Sequence, residues 1–229
     1  MLCCCCLSAT SEEREPLPVN TRQPCRNIGL FNKEGTLTMK LVNVRAIDTL
    51  FSDVAEAFNE QHGDHSEMLR AARGLREVCG CAPTAALTAC MDTLRHEHGA
   101  SKVQVHVEGY SFSLVVKEKQ VPEKLKRVQR HMGELSRSTK RVLARTTTLR
   151  EMICSMLQNQ NELEERIKTA NPEYLNQVRL ESNLRENMQK LSLAKELSEQ
   201  YDGAARSVLR EMAKLAGSVL EGAPETGAE

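Results

Sequence analysis

The longest regular alternation of apolar and polar positions runs from residue 125 to residue 170. Apolar side chains recur at intervals of three and four: Leu125, Val128, Met132, Leu135, Val142, Leu149, Ile153, Met156, Leu163, Ile167 and Ala170. Thr139, Thr146 and Gln160 fill the remaining places, so eleven of fourteen seam positions are apolar. This is a heptad seam, and it predicts one long coiled-coil helix over 122–170, roughly 70 Å in length. Pro122 suits the opening of that helix, because a first-turn residue needs no N–H partner. Ile153 and Ile167 at a, with Met156 and Leu163 at d, favour a parallel pair, and Gln160 at a sets its register. Met152 and Leu157 widen the stripe beyond two residues in seven, which calls for more than one partner helix.

Beyond Ala170, Asn171-Pro172-Glu173 has the chemistry of a new helix start. Leu180, Leu184, Met188 and Leu191 continue an apolar stripe, Lys195 breaks it, and Asp202-Gly203 marks a kink or turn. Ala205, Leu209, Met212, Ala216 and Val219 resume it, so 172–221 reads as further helices and 222–229 as a disordered tail. All these stripe positions except Leu180 keep the phase of the first seam, which suits one interrupted rod. The proline and the wide stripe suit a bundle folded back on itself, and the pattern leaves both open.

Ahead of the seam, 43–118 reads as a small α+β head domain. Val44, Ile47, Phe51, Val54 and Phe58 share one helical face. Gly63 ends that helix, and Asp64 caps a second one, with Met68, Ala72, Leu75 and Val78 inward, running to about Cys79. A third runs from Pro83 to His98, with Leu87, Cys90, Met91 and Leu94 inward and Gly99 closing it. KVQVHV and YSFSLVVK alternate on either side of Glu108-Gly109, the signature of a β-hairpin. Three helices followed by a hairpin is the order of a winged-helix domain. The outer face of the third helix, however, offers only Thr84, Thr88, Asp92 and Arg95, a poor set for reading DNA. Residues 36–44 read as a short strand at the end of a flexible leader, 1–42. The fold class is therefore mainly α: a small three-helix and hairpin head, then a long heptad coil interrupted near Pro172 and Gly203.

Composition agrees with a helical rod. Only 3% of residues are aromatic and none is Trp, whereas seams need few rings. The formal net charge is zero, but it is unevenly spread. Between Lys117 and Arg150 eleven Lys or Arg stand against three Glu. Lys124, Lys126, Arg127, Arg130, Arg137, Lys140, Arg141 and Arg145 form the candidate basic surface. Such a run is a solvated helix face in the simplest case, and otherwise meets an anionic membrane or, with less support, nucleic acid.

The nine cysteines include one run, Cys3, Cys4, Cys5 and Cys6. The opening Met-Leu-Cys-Cys resembles the S-acylated N-termini of several peripheral membrane proteins, neuromodulin among them. That resemblance covers four residues and implies thioester-linked acyl chains on Cys3 to Cys6. Two chains, or one chain and a basic segment, give stable anchoring where one chain alone does not. Leu2 stands where N-myristoylation needs glycine, and Leu2–Leu7 is too short for a signal peptide. His62, His65, Cys79, Cys81, Cys90, His96 and His98 lack the paired spacing of a zinc site, so no metal or cofactor is assigned. No phosphate-cradling loop or catalytic triad pattern is present. The reading is a non-enzymatic, cytoplasmic coiled-coil adaptor or scaffold, tethered to a membrane through Cys3–Cys6. Its partners are other coiled-coil proteins or its own copies. A nuclear winged-helix subunit of a chromosome-associated complex, contacting DNA through 117–150, and a cytoskeletal or centrosomal coil are the alternatives.

Overall fold

A computed structural model describes residues 35–217 except Ser101 and Pro172. The Cys3–Cys6 run, Pro172, Val219 and the tail thus lie outside the described residues. The described chain is mainly helical, with long helices and one two-stranded antiparallel sheet. In order these are α1 (Arg45–Cys79), α2 (Leu87–His98), β1 (Val103–Glu108), β2 (Ser111–Val116), α3 (Glu123–Gln158), α4 (Gln160–Ala170) and α5 (Tyr174–Ala216).

The 45–79 segment is one helix, not two: α1 runs through Gly63, and Asp64 caps nothing. A mid-helix glycine costs about 1 kcal/mol. Fully burying a side chain such as Phe58 or Met68, on either side of Gly63, stabilises by about 2 kcal/mol. Tertiary burial therefore overrides the local break. The same balance carries α5 through Gly203, flanked by the buried Tyr201 and Ala205. Conversely, the long seam helix does break, at Asn159 between α3 and α4. The interruption is one residue long: the Asn159 N–H keeps its bond to the Ser155 carbonyl at 3.1 Å, and the Asn159 side chain donates to the same carbonyl at 2.9 Å. Gly80 ends α1 in the left-handed region (φ 71°), where its N–H and that of Cys81 reach back to Glu77 and Arg76.

The hairpin pairs Val103 with Val116 through Glu108 with Ser111, leaving Gly109 (φ 56°) and Tyr110 as the turn. The turn is thus one residue later than expected, and Tyr110 is exposed rather than inward. Phe112 and Leu114 face the core, and the Phe112 N–H donates 2.8 Å to Ser136 Oγ on α3.

Helix α3 lies along both α1 and α5. Gln61 meets Thr146, Asp64 meets Arg141 and Arg145, and Gly74 meets His131, so α1 and α3 are antiparallel. After α4 the chain folds back, and α5 returns along α4 and α3; Gln177 Nε2 donates 3.3 Å to the Lys168 carbonyl. All ten apolar seam residues from Leu125 to Ile167 are buried. They belong to one contiguous cluster with Phe51 and Phe58 of α1, Met91 of α2 and Leu191 of α5. The partners that the wide stripe required come from the same chain.

Gly74 and Gly63 provide a matched test of this packing. A Cβ at Gly74 would stand 2.7 Å from the His131 ring, whereas one at Gly63 meets nothing within 4 Å. Gly63→Ala should stabilise the protein by about 0.5–1 kcal/mol. Gly74→Ala should forfeit that gain and destabilise by about 1 kcal/mol or more. Urea unfolding of both variants, followed by circular dichroism, measures the difference.

Candidate functional site

Residues 36–44 are held as a strap by side chains of two helices. Asn59 of α1 accepts from the Leu37 N–H (2.7 Å) and donates to its carbonyl (3.0 Å). Asn187 of α5 makes the same pair of bonds to Lys40 (2.9 and 2.8 Å). Asn183 donates to the Leu41 carbonyl and Lys190 Nζ to that of Thr38 (both 2.8 Å). Leu37 and Val42 are thereby buried, while Asp48 accepts from the Val42 N–H at 2.7 Å. Glu186 bridges Lys40 and Lys190; its bonds to Lys40 and then Lys190 hold its carboxyl below the usual carboxylate range. None of these anchors is apolar, so hydrophobic periodicity could not reveal them. The one available cue was asparagine, a poor helix former, at 183 and 187, one turn apart.

A polar layer lies within the α1–α3 contact. The fully buried Gln61 donates 2.9 Å to Thr146 Oγ1, which passes a hydrogen bond to the Val142 carbonyl at 2.9 Å. Asp64, also buried, accepts from Arg141 Nε at 2.5 Å and Arg145 Nε at 2.9 Å. Glu67 adds a second contact to Arg141, and Glu60 one to Arg145. The hydrogen bond to Asp64 raises the Arg141 pKa above its usual value. Thr139, at the other polar seam position of α3, is buried and its Oγ1 finds no partner among the described residues.

These contacts divide the candidate basic surface. Arg141 and Arg145 are consumed by α1, and Lys124 reaches Glu97 at the end of α2 (2.5 Å). Lys126 meets only Glu123 on its own helix. Arg127, Arg130, Arg137 and Lys140 are exposed and form no ion pair among the described residues. Arg95, the only cation on the outer face of α2, donates 2.8 Å to the Leu215 carbonyl near the end of α5. It is therefore occupied in capping.

Between α1 and α5, His62 Nδ1 lies 2.9 Å from the Tyr201 hydroxyl, and the His65 ring stacks on Tyr201 at 4.1 Å. Burial, reinforced by neighbouring His62, lowers the His65 pKa, and burial raises that of Tyr201. The free thiols Cys79, Cys81 and Cys90 meet where α1 ends and α2 packs. Burial, with Cys81 next in effect, pushes Cys79 up to about 11 and Cys90 up to about 12. No group of three or more His, Cys, Asp or Glu among the described residues is arranged to hold a metal ion.

The exposed large apolar side chains include Tyr174 (74%), Leu175 (76%) and Val178 (51%), all within the first turns of α5. No known family, curated protein or solved structure matches the chain.

The His62–His65–Tyr201 cluster sets an expected pH dependence. A histidine with a lowered folded pKa binds fewer protons folded than unfolded, so its contribution is present above pH 6.5 and lost as pH falls below it. The melting temperature should drop between pH 7.5 and 5.5, and His65→Gln should flatten part of that drop. Thermal melts across this range read it directly.

Proposed function

We propose that this chain is a non-enzymatic adaptor whose heptad-built bundle presents an apolar contact to partner proteins while Cys3–Cys6 tether it to a membrane. The observation that carries the adaptor reading is the Tyr174–Leu175–Val178 patch. Three large apolar side chains, each more than half exposed, gather on the first turns of one helix, and grouped exposure of this kind marks interaction surfaces. The α3 seam, filled by α1 and α5, acts in this reading as an intrachain coiled coil, which leaves the outward faces of the bundle to recognition. The occupation of Arg95 favours protein contact over DNA reading for the α2 and hairpin unit, even if that unit is winged-helix-like.

The tether reading stands on the sequence of the N-terminus. No helix among the described residues is long and apolar enough to cross a membrane, so association would come from acyl chains on a peripheral protein.

Leu175→Ser with Val178→Ser should change stability by less than about 0.5 kcal/mol, because both sites are exposed. Quantitative affinity capture from cells should show a set of proteins retained by the native chain and lost by the double variant. Identical profiles would sink the adaptor contact. Separately, replacing Cys3, Cys4, Cys5 and Cys6 by Ser should move the protein from the membrane to the soluble fraction. Hydroxylamine, which cleaves thioesters, should do the same to the native chain. Unchanged fractionation in both cases removes the tether.

A further inference from the structure

Helix α3 carries a single-file row of positive charge on its outer face. Lys126, Arg130, Arg137 and Lys140 fall at successive steps of three, four or seven residues, which places them on one line along the helix. Gly133 shares that line between Arg130 and Arg137, so no bulky side chain rises in the widest gap between the charges. All four cations are exposed, and the row stands opposite the buried seam of Val128, Met132, Leu135 and Thr139. Carboxylates of α1 neutralise the basic residues beside the row, Arg141 and Arg145; within the row Lys126 pairs with Glu123 of its own helix at 3.4 Å, and Arg130, Arg137 and Lys140 form no ion pair among the described residues. The row spans about 21 Å, and the helix that carries it packs on α1 and α5.

From this we infer that the Lys126–Arg130–Arg137–Lys140 row is a docking surface for an anionic bilayer, on which α3 lies parallel to the membrane plane. The inference rests on the tethered reading above and supplies its second signal. A straight line of charge on a rigid cylinder touches a plane along its whole length, whereas the phosphates of a duplex wind away from such a line. No aromatic side chain stands in the row to stack on the bases of a single strand. Each cation at an anionic surface strengthens partitioning about fivefold, so a row of four suffices for weak, reversible contact, which acyl chains would make stable.

The test uses the full chain purified without acylation, so that the row acts alone. It is mixed at low salt with vesicles of phosphatidylcholine, or of phosphatidylcholine with about one-third phosphatidylserine. The native chain should co-sediment with the anionic vesicles only. Arg130→Glu/Arg137→Glu/Lys140→Glu should lower the partition coefficient about 100-fold or more while melting as the native protein does. Arg179→Glu, an exposed change on α5, should leave binding unaltered. Absence of binding, equal binding to both vesicle types, or native-like binding by the triple variant overturns the inference. So does duplex DNA that binds more tightly than the vesicles and displaces them. Because no acyl chain is present, these failures bear on the row alone, whereas unchanged fractionation of the Cys variants bears on the tether alone.

Discussion

The structure depends on the way α1 is seated on α3. An apolar seam repeats every seven residues and would tolerate a slip by one heptad. Asp64 does not tolerate it. Its carboxylate finds both Arg141 and Arg145 only in the observed register, because one heptad earlier those places hold Glu134 and Ser138, whereas Gln61, on Thr146 here, would meet Thr139. A buried carboxylate without its cations, or a buried amide without its hydroxyl, carries a desolvation cost that an apolar mismatch does not. The polar layer therefore selects the alignment, and the apolar residues around it supply the burial.

That alignment sets much else. Fixing α1 against α3 brings the strap 36–44 over the α1–α5 groove, where Asn59, Asn183, Asn187 and Lys190 hold its backbone. It also decides which basic residues remain available. Two half-exposed arginines are spent on carboxylates of α1, and the cations on the far side of α3 keep their charge facing water. A basic stretch that looks uniform along the chain is thus two features, one structural and one exposed. The apolar patch at Tyr174, Leu175 and Val178 sits apart from both, on the first turns of the returning helix.

Most of the apolar framework was legible in the residues. The positions from Leu125 to Ile167, the inward face of α2 and the alternating hairpin strands all follow from periodicity, because burial of one face imposes a period of 3.6 or 2. Breaks were less legible. Gly63 and Gly203 look like stops but are crossed, since neighbouring side chains gain more by burial than a glycine loses. Asn159 looks harmless inside a strong seam but interrupts it for one residue, where its side chain and its own N–H share the Ser155 carbonyl. Apart from the paired asparagines at 183 and 187, the helix anchors of the strap and the Asp64 cluster were not legible: they join residues from 22 to 152 positions apart, and a polar residue on a helix carries no mark of facing inward.

What the sequence determined by itself is the mainly helical class, the identity of the seam residues and the clustering of cysteines and positive charge. These are local or periodic properties. Tertiary structure alone decided that the seam is filled by helices of the same chain, that the chain turns back after α4, and that Arg141 and Arg145 pair with carboxylates of α1 while Arg130, Arg137 and Lys140 form no ion pair among the described residues. The physical reason is that a heptad stripe specifies an apolar partner without saying whose it is. An arginine's role is set by the carboxylate that reaches it, and only the packed fold brings Asp64 within 3 Å of two of them.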